Sequence, residues 1–235
     1  MKKHIPNFIT SLNLLAGCFA VVFALTADLR MASWMIGLAA IFDFADGFAA
    51  RFLKAQSRFG MVLDSLADVI SFGMAPGAIM FSLTRMSYFP SGGNPHHILA
   101  YSAFLITIFS ALRLAKFSID DKQSDHFLGL PTPAMAILVA SFPLILFYHS
   151  NISFIISLLQ HGYVLVGITI LLSVLMVVNI PLMALKFKTF GIKENAPKYG
   201  LMVIAAVLLA LFHYLAIPMI IISYFILSAI PFRKI

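Results

Sequence analysis

One cysteine, Cys18, stands among 235 residues, which rules out any disulfide within the chain. Charge is nearly as scarce. Charged residues make up 11% of the sequence, with nine acids against sixteen lysines and arginines, whereas roughly a quarter of a soluble domain is charged. There is one tryptophan, and no Walker motif, Rossmann fingerprint, internal repeat or low-complexity tail, so the usual soluble nucleotide-binding folds are not indicated. Hydrophobic residues are abundant instead, at 61% with a mean hydropathy of +0.99. The expected fold class is therefore an all-α integral membrane protein, since the apolar runs approach the roughly 20 residues a helix needs to cross a bilayer and lack the alternation of a barrel.

Expected spans lie at about 8–26, 32–54, 60–83, 97–117, 132–149, 163–186, 199–214 and 217–231. They make a polytopic bundle of about eight helices in a single membrane domain, 1–235, with a core at about 5–140 and further helices over about 150–235. The last two share one apolar run broken only by His213 and Pro218, so one long bent helix is the alternative. The breaks at Pro90 to Pro95, Ser118 to Leu130 and Lys186 to Lys198 are better marked. Lys and Arg test the count, because positive charge collects on the cytoplasmic side. With both termini inside, fourteen of the sixteen fall on inner segments: Lys2, Lys3, Arg51, Lys54, Arg58, Arg113, Lys116, Lys122, Lys186, Lys188, Lys193, Lys198, Arg233 and Lys234. Only Arg30 and Arg85 fall outside. The net charge of +7 thus reads as topology and attraction to anionic lipid, with no nucleic-acid partner implied. Lys2, Lys3 and His4 ahead of an apolar run imitate a secretory signal, but the run continues past Cys18, and an uncleaved first helix is expected. Cys18 is expected as a small buried residue.

Four of the nine acids, Asp43, Asp46, Asp64 and Asp68, lie inside these apolar stretches. Carboxylates are costly there, and four together repel one another unless protons or cations neutralise them. On the second helix Asp43, Asp46, Gly47, Ala50, Arg51 and Lys54 follow helical spacing and line one stripe; on the third, Gly60, Asp64, Asp68 and Ser71 do the same. The short connection Ala55 to Phe59 predicts an antiparallel hairpin that unites the four acids near the cytoplasmic end. Hard oxygen ligands select Mg²⁺, Mn²⁺ or Ca²⁺, and arginine beside such a site, with Gly47 and Gly60 removing bulk, suits a phosphate guest. Glycine and alanine at four-residue spacing equally suit close helix packing.

Asp43, Asp46, Gly47, Ala50, Arg51, Gly60, Asp64 and Asp68 reproduce D, two residues, DG, two residues, AR, eight residues, G, three residues, D, three residues, D. That pattern resembles the signature of the CDP-alcohol phosphotransferases. Pro6, Asn7, Thr10 and Asn13, then SLADVISFGMAP over 65–76, ALRLAKF over 111–117 and GLPTPA over 129–134 resemble the phosphatidylserine synthase branch of that family. Lys116 and Ser118 depart from the Arg and Asn expected there. The resemblance implies transfer of the phosphatidyl group of CDP-diacylglycerol to L-serine with release of CMP, in the cell (inner) membrane with the site facing the cytoplasm, by a homodimer. It implies Asp43, Asp46, Asp64 and Asp68 as ligands of divalent metal, Mg²⁺ or Mn²⁺ and two ions, with Asp68 also the catalytic base. Gly47, Ala50, Arg51 and Gly60 become contacts to the CDP-lipid, Ser57 a candidate donor to its diphosphate, and Arg113 and Lys116 candidates for the acceptor carboxylate or a lipid phosphate. Glycerol phosphate and inositol phosphate are rival acceptors. A cation or proton transporter is the rival class; it predicts acids spread through the membrane depth, whereas here they crowd into one hairpin.

Overall fold

In the computed structural model, residues 4–89, 96–119, 127–149, 151–183, 191 and 195–229 are described. Of the expected inner charges, Lys2, Lys3, Lys122, Lys186, Lys188, Lys193, Arg233 and Lys234 lie outside them, as do both termini.

The chain is a helical bundle. Its elements are α1 (His4–Leu25), α2 (Leu29–Phe52), α3 (Arg58–Val69), a π-helical turn (Ile70–Met74), α4 (Ala75–Met86), α5 (His96–Ala100), a 3₁₀ turn (Tyr101–Phe104), α6 (Leu105–Ile119), α7 (Thr132–Tyr148), α8 (Ser153–Gln160), α9 (Gly162–Val177), α10 (Ala196–Phe212), a 3₁₀ turn (His213–Leu215) and α11 (Ala216–Ala229). Five helical stretches are long and apolar enough to cross a membrane: His4–Leu25, Leu29–Phe52, Arg58–Met86, Ile98–Ser118 and Ala196–Ser228. The apolar helices Thr132–Tyr148 and Gly162–Val177 are shorter.

The third of these crossings is the hub. In its most apolar stretch 78% of residues are buried, against 33% or less in the other four. α1 packs on it closely because its inner face is small: Ala16, Ala20 and Ala24 are buried, and a Cβ at Gly17 would stand 2.8 Å from the Cα of Ser71. Glycine at that crossing lets the two backbones approach. Among the described elements α1 also packs along α2, α7 packs on α2 and α4, and α6 packs on the π turn and α9.

The second and third expected helices do meet: α2 packs on the π turn and α4 of the latter, and α1 packs against both α2 and α3. The backbone turns between α2 and α3 at Lys54, with φ +50°, and restarts at Ser57, whose Oγ caps α3 by accepting from Gly60 N at 3.0 Å. Several expectations are corrected. Cys18 is exposed on the outward face of α1, because Ala16, Gly17 and Ala20 occupy the inward one. The sixth span ends at Val177, nine residues early: Pro181 supplies no N–H and disfavours helix before it, and Pro181–Leu182 (β2) pairs antiparallel with Phe127–Leu128 (β1). Gly129, at φ +72°, makes that join possible, since a Cβ there would meet Met176 O at 2.7 Å. The final apolar run is no single bent helix: His213 adopts φ +48°, and α11 folds back along α10 so that Leu201 and Tyr224 share one cluster with Leu182. At the reversal Tyr214 stacks on Tyr148 and meets Trp34 edge-on, with ring centroids 5.0 Å and 6.2 Å apart. Such aromatics suit a membrane interface.

Candidate active site

Asp43 and Asp68 sit nine and ten residues from the ends of their helices nearest the α2–α3 turn, a depth of about 15 Å at helical rise. Asp46 and Asp64 lie one turn shallower. The gap between α2 and α3 is narrow enough for carboxylates to meet across it: one oxygen each from Asp43, Asp64 and Asp68 lie within 4.8 Å of one another. Asp46 stands outside that group of three but close enough for its charge to act on each of them. It is 5% exposed, Asp68 8%, and both Asp46 Oδ2 and Asp64 Oδ1 are buried without a hydrogen-bond partner. Buried acceptors left unpaired destabilise a fold, and packed carboxylates repel. A bound cation would relieve both. The donor set is carboxylate oxygen only, which fits Mg²⁺, Mn²⁺ or Ca²⁺.

α1 supplies the wall between the two acid-bearing helices. Its residues Asn7, Thr10 and Asn13 recur every three positions on the face turned to the site. Asn13, fully buried, donates from Nδ2 to Asp68 Oδ1 at 3.2 Å. The Thr10 side chain faces Asp46, and Asn7 Oδ1 would lie 3.0 Å from a Cβ at Gly60. The sequence alone assigns these three no role. The signal was their spacing, polar residues three apart on one face of an otherwise apolar helix.

The remaining predicted residues separate into two groups. Gly47, Ala50 and Arg51 lie toward the end of α2 and Ser57 and Gly60 at the start of α3, on the side of the gap nearest the turn, its mouth. Gly47 faces open space apart from the Arg51 guanidinium, 3.9 Å from where its Cβ would be, and Arg51 is exposed in the last turn of α2. The bond from Gly60 N uses the oxygen of Ser57, so the hydroxyl proton is available to a guest. Arg113 and Lys116 lie apart from this mouth, on α6. Thr107 donates to Gly73 O at 3.2 Å and Ser110 to Phe72 O at 3.5 Å; one further turn along α6 brings Arg113 level with Asp68. Arg113 is half-buried, and its Nε has no hydrogen-bond partner. Lys116 is exposed and donates to Asn179 Oδ1 at 3.0 Å, so it faces the segment that follows α9 rather than the carboxylates.

A gap lined by clustered acids, opening past two glycines and an arginine, can hold a divalent cation together with a diphosphate and bring a proton acceptor beside it. A family model described as CDP-alcohol phosphatidyltransferase matches residues 3–183. The chain is 36% identical over 177 residues to a CDP-diacylglycerol–serine O-phosphatidyltransferase of Helicobacter pylori, covering 74% of this chain and 70% of that protein. It is 35% identical over 142 residues to the protein of the same name from Bacillus subtilis, covering 60% and 76%, and 33% identical over 138 residues to that of Methanocaldococcus jannaschii, covering 59% of each. The match to a second Helicobacter pylori relative spans 54% of that protein's length.

Proposed function

The chain belongs to the CDP-alcohol phosphatidyltransferase family, and from that premise we propose that it transfers the phosphatidyl group of CDP-diacylglycerol to the hydroxyl of L-serine, giving phosphatidylserine and CMP. The observation that carries this reading is the meeting of Asp43, Asp64 and Asp68 oxygens within 4.8 Å, across helices that hold the CDP-alcohol signature. Serine as acceptor is supported by the printed names of the relatives, at 33–39% identity.

In the reaction, the serine Oγ forms a bond to the phosphatidyl phosphorus as the bond from that phosphorus to the CMP oxygen breaks. The Oγ proton goes to Asp68. Asn13 holds Asp68 Oδ1, which leaves Oδ2 to face the hydroxyl, and a positioned carboxylate base contributes roughly 10²–10⁴-fold. Asp43, Asp46, Asp64 and Asp68 would hold the divalent cations, which when bound neutralise charge on the diphosphate and the departing CMP. Arg51 and the Ser57 hydroxyl steady the diphosphate, while Gly47 and Gly60 let it approach the backbone. Arg113, level with the base, receives the serine carboxylate. Eight crossings with both termini cytoplasmic, and two copies associated in the inner membrane, complete the proposal; Arg51, Lys54 and Arg58, at the α2–α3 turn nearest the aspartates, support the orientation.

Purified protein incubated with CDP-diacylglycerol, Mn²⁺ or Mg²⁺ and a panel of alcohols tests it. Phosphatidylserine and CMP should form together with serine. Product with glycerol phosphate or inositol phosphate instead would overturn the acceptor, and no CMP release with any alcohol would overturn the reaction.

A further inference from the structure

At the end of the bundle away from the aspartates, where α1, α4 and α7 end and α2 begins, lies a cavity of about 470 Å³ that the proposed reaction does not use. Asp28 and Asp43 are fifteen residues apart along α2, about 22 Å at helical rise, so this is a separate site. Leu83, Met86, Pro143 and Leu146 give it an apolar lining, and two opposite charges, Asp28 and Arg30, share it. Both are exposed, and both are held. Asp28 Oδ1 accepts from Met31 N at 3.1 Å and caps α2, while the guanidinium carbon of Arg30 stands 3.9 Å from the centroid of the Phe147 ring. Among the described residues neither charge takes part in an ion pair. A cation over an aromatic face is fixed without spending its N–H groups, and the cap occupies one oxygen of Asp28, so donors and an acceptor are left for a guest. The Thr26 hydroxyl, which also lines the cavity, donates to Val22 O at 3.0 Å. The charges define the occupant. A simple anion would meet Asp28 and a simple cation Arg30, whereas a molecule carrying a phosphate and an ammonium on an apolar tail satisfies both charges and the lining. Trp34, Tyr148 and Tyr214 cluster at the same end, where aromatics mark headgroup depth.

We propose that this cavity binds a zwitterionic amino-phospholipid from the leaflet opposite the active site, with its phosphate on Arg30, its ammonium on Asp28 and the start of an acyl chain along Leu83, Met86 and Leu146. Such a lipid ties the ends of α1, α4 and α7 to the start of α2 without entering the reaction. The inference stands apart from the choice of serine as acceptor.

The test titrates the purified full chain, delipidated in detergent with EDTA present, with dioleoyl phosphatidylethanolamine, dioleoyl phosphatidylglycerol and dioleoylglycerol, and counts bound lipid by native mass spectrometry. Wild type should bind the ethanolamine lipid about tenfold more tightly than either of the others, the scale of one hydrogen bond to a charged group. Arg30→Gln should weaken that binding by about the same factor. Asp28→Asn keeps an oxygen to cap α2 and should bring the ethanolamine and glycerol headgroups to equal affinity. Phe147→Leu frees Arg30 while keeping the lining apolar, and should weaken both phospholipids a few-fold; it answers the same question should Arg30→Gln not purify folded. Equal binding of the two phospholipids by wild type, unchanged affinity in both Arg30→Gln and Phe147→Leu, or a preference for ethanolamine that survives Asp28→Asn would each overturn the inference. So would soluble phosphoethanolamine displacing the lipid at equal concentration, since the ligand would then be a free amino-phosphate.

Discussion

Replacing Asp68 by Asn changes one atom's identity and one charge, and separates proton acceptance from cation binding. The variant amide keeps the shape and keeps an oxygen that accepts from Asn13 Nδ2, now 3.2 Å from Asp68 Oδ1, so Asp68→Asn should fold. The other acids remain: Asp43 and Asp64 still face each other, and Asp46 Oδ2 and Asp64 Oδ1 are still without hydrogen-bond partners. What disappears is the proposed acceptor of the serine proton. Losing a positioned base costs roughly 10²–10⁴-fold in kcat, equal to about 3–5 kcal/mol on the barrier at 1.36 kcal/mol per tenfold. Turnover is read as CMP release under saturating CDP-diacylglycerol and serine, and Mn²⁺ binding is titrated on the same preparation. The expected result is a fall of at least a hundredfold in kcat with Mn²⁺ still bound. A variant within tenfold of wild type would refute the assignment of Asp68 as base. One that is inactive only because it has lost Mn²⁺ would show that Asp68 acts as a ligand alone.

Asp43→Ala removes a member of the close trio and should lose Mn²⁺ binding and turnover together; metal titration with activity retained would contradict its role. EDTA should abolish CMP release and Mn²⁺ or Mg²⁺ should restore it, so a chelator-resistant enzyme would exclude metal assistance. Gly17→Val forces a side chain toward the backbone of Ser71, where even a Cβ would stand 2.8 Å away. Overpacking of this kind costs about 1–3 kcal/mol, and the thermal midpoint of the purified protein should fall measurably; an unchanged midpoint would mean that the α1–π turn contact is loose. In Cys18→Ala protein, Ser57→Cys should react with an impermeant thiol reagent from the cytoplasmic side alone, and reaction from the outside alone would reverse the orientation.

The acids and their clustering were legible from spacing alone, because a helix repeats its face every three to four residues and Asp43, Asp46, Asp64 and Asp68 keep that step. The starts of most spans were legible from the apolar runs and the polar breaks between them. What the spacing could not convey is which element fills the space between two faces. Asn7, Thr10 and Asn13 belong to a helix distant in sequence from Asp68, and only packing shows that α1 enters between α2 and α3. The π turn over Ile70–Met74 was equally hidden, since it follows from the demands of neighbours on Ser71, Phe72 and Gly73, all buried, rather than from any breaker residue. Tyr224 carried no motif at all; its place depends on the reversal at His213, where backbone strain is visible only as φ +48°.

The wedge formed by α1 has a consequence for biogenesis. A lone carboxylate at the centre of a membrane helix costs roughly 2.5–3.5 kcal/mol to insert, so α2 and α3 released singly into lipid would face a barrier on the order of 10 kcal/mol between them. Asn13 and Thr10 are already present when those helices leave the ribosome, and the whole acidic site lies within residues 4–86 of the nascent chain. The first three crossings should therefore leave the translocon as one packet, with the acids facing inward before any later helix has been made.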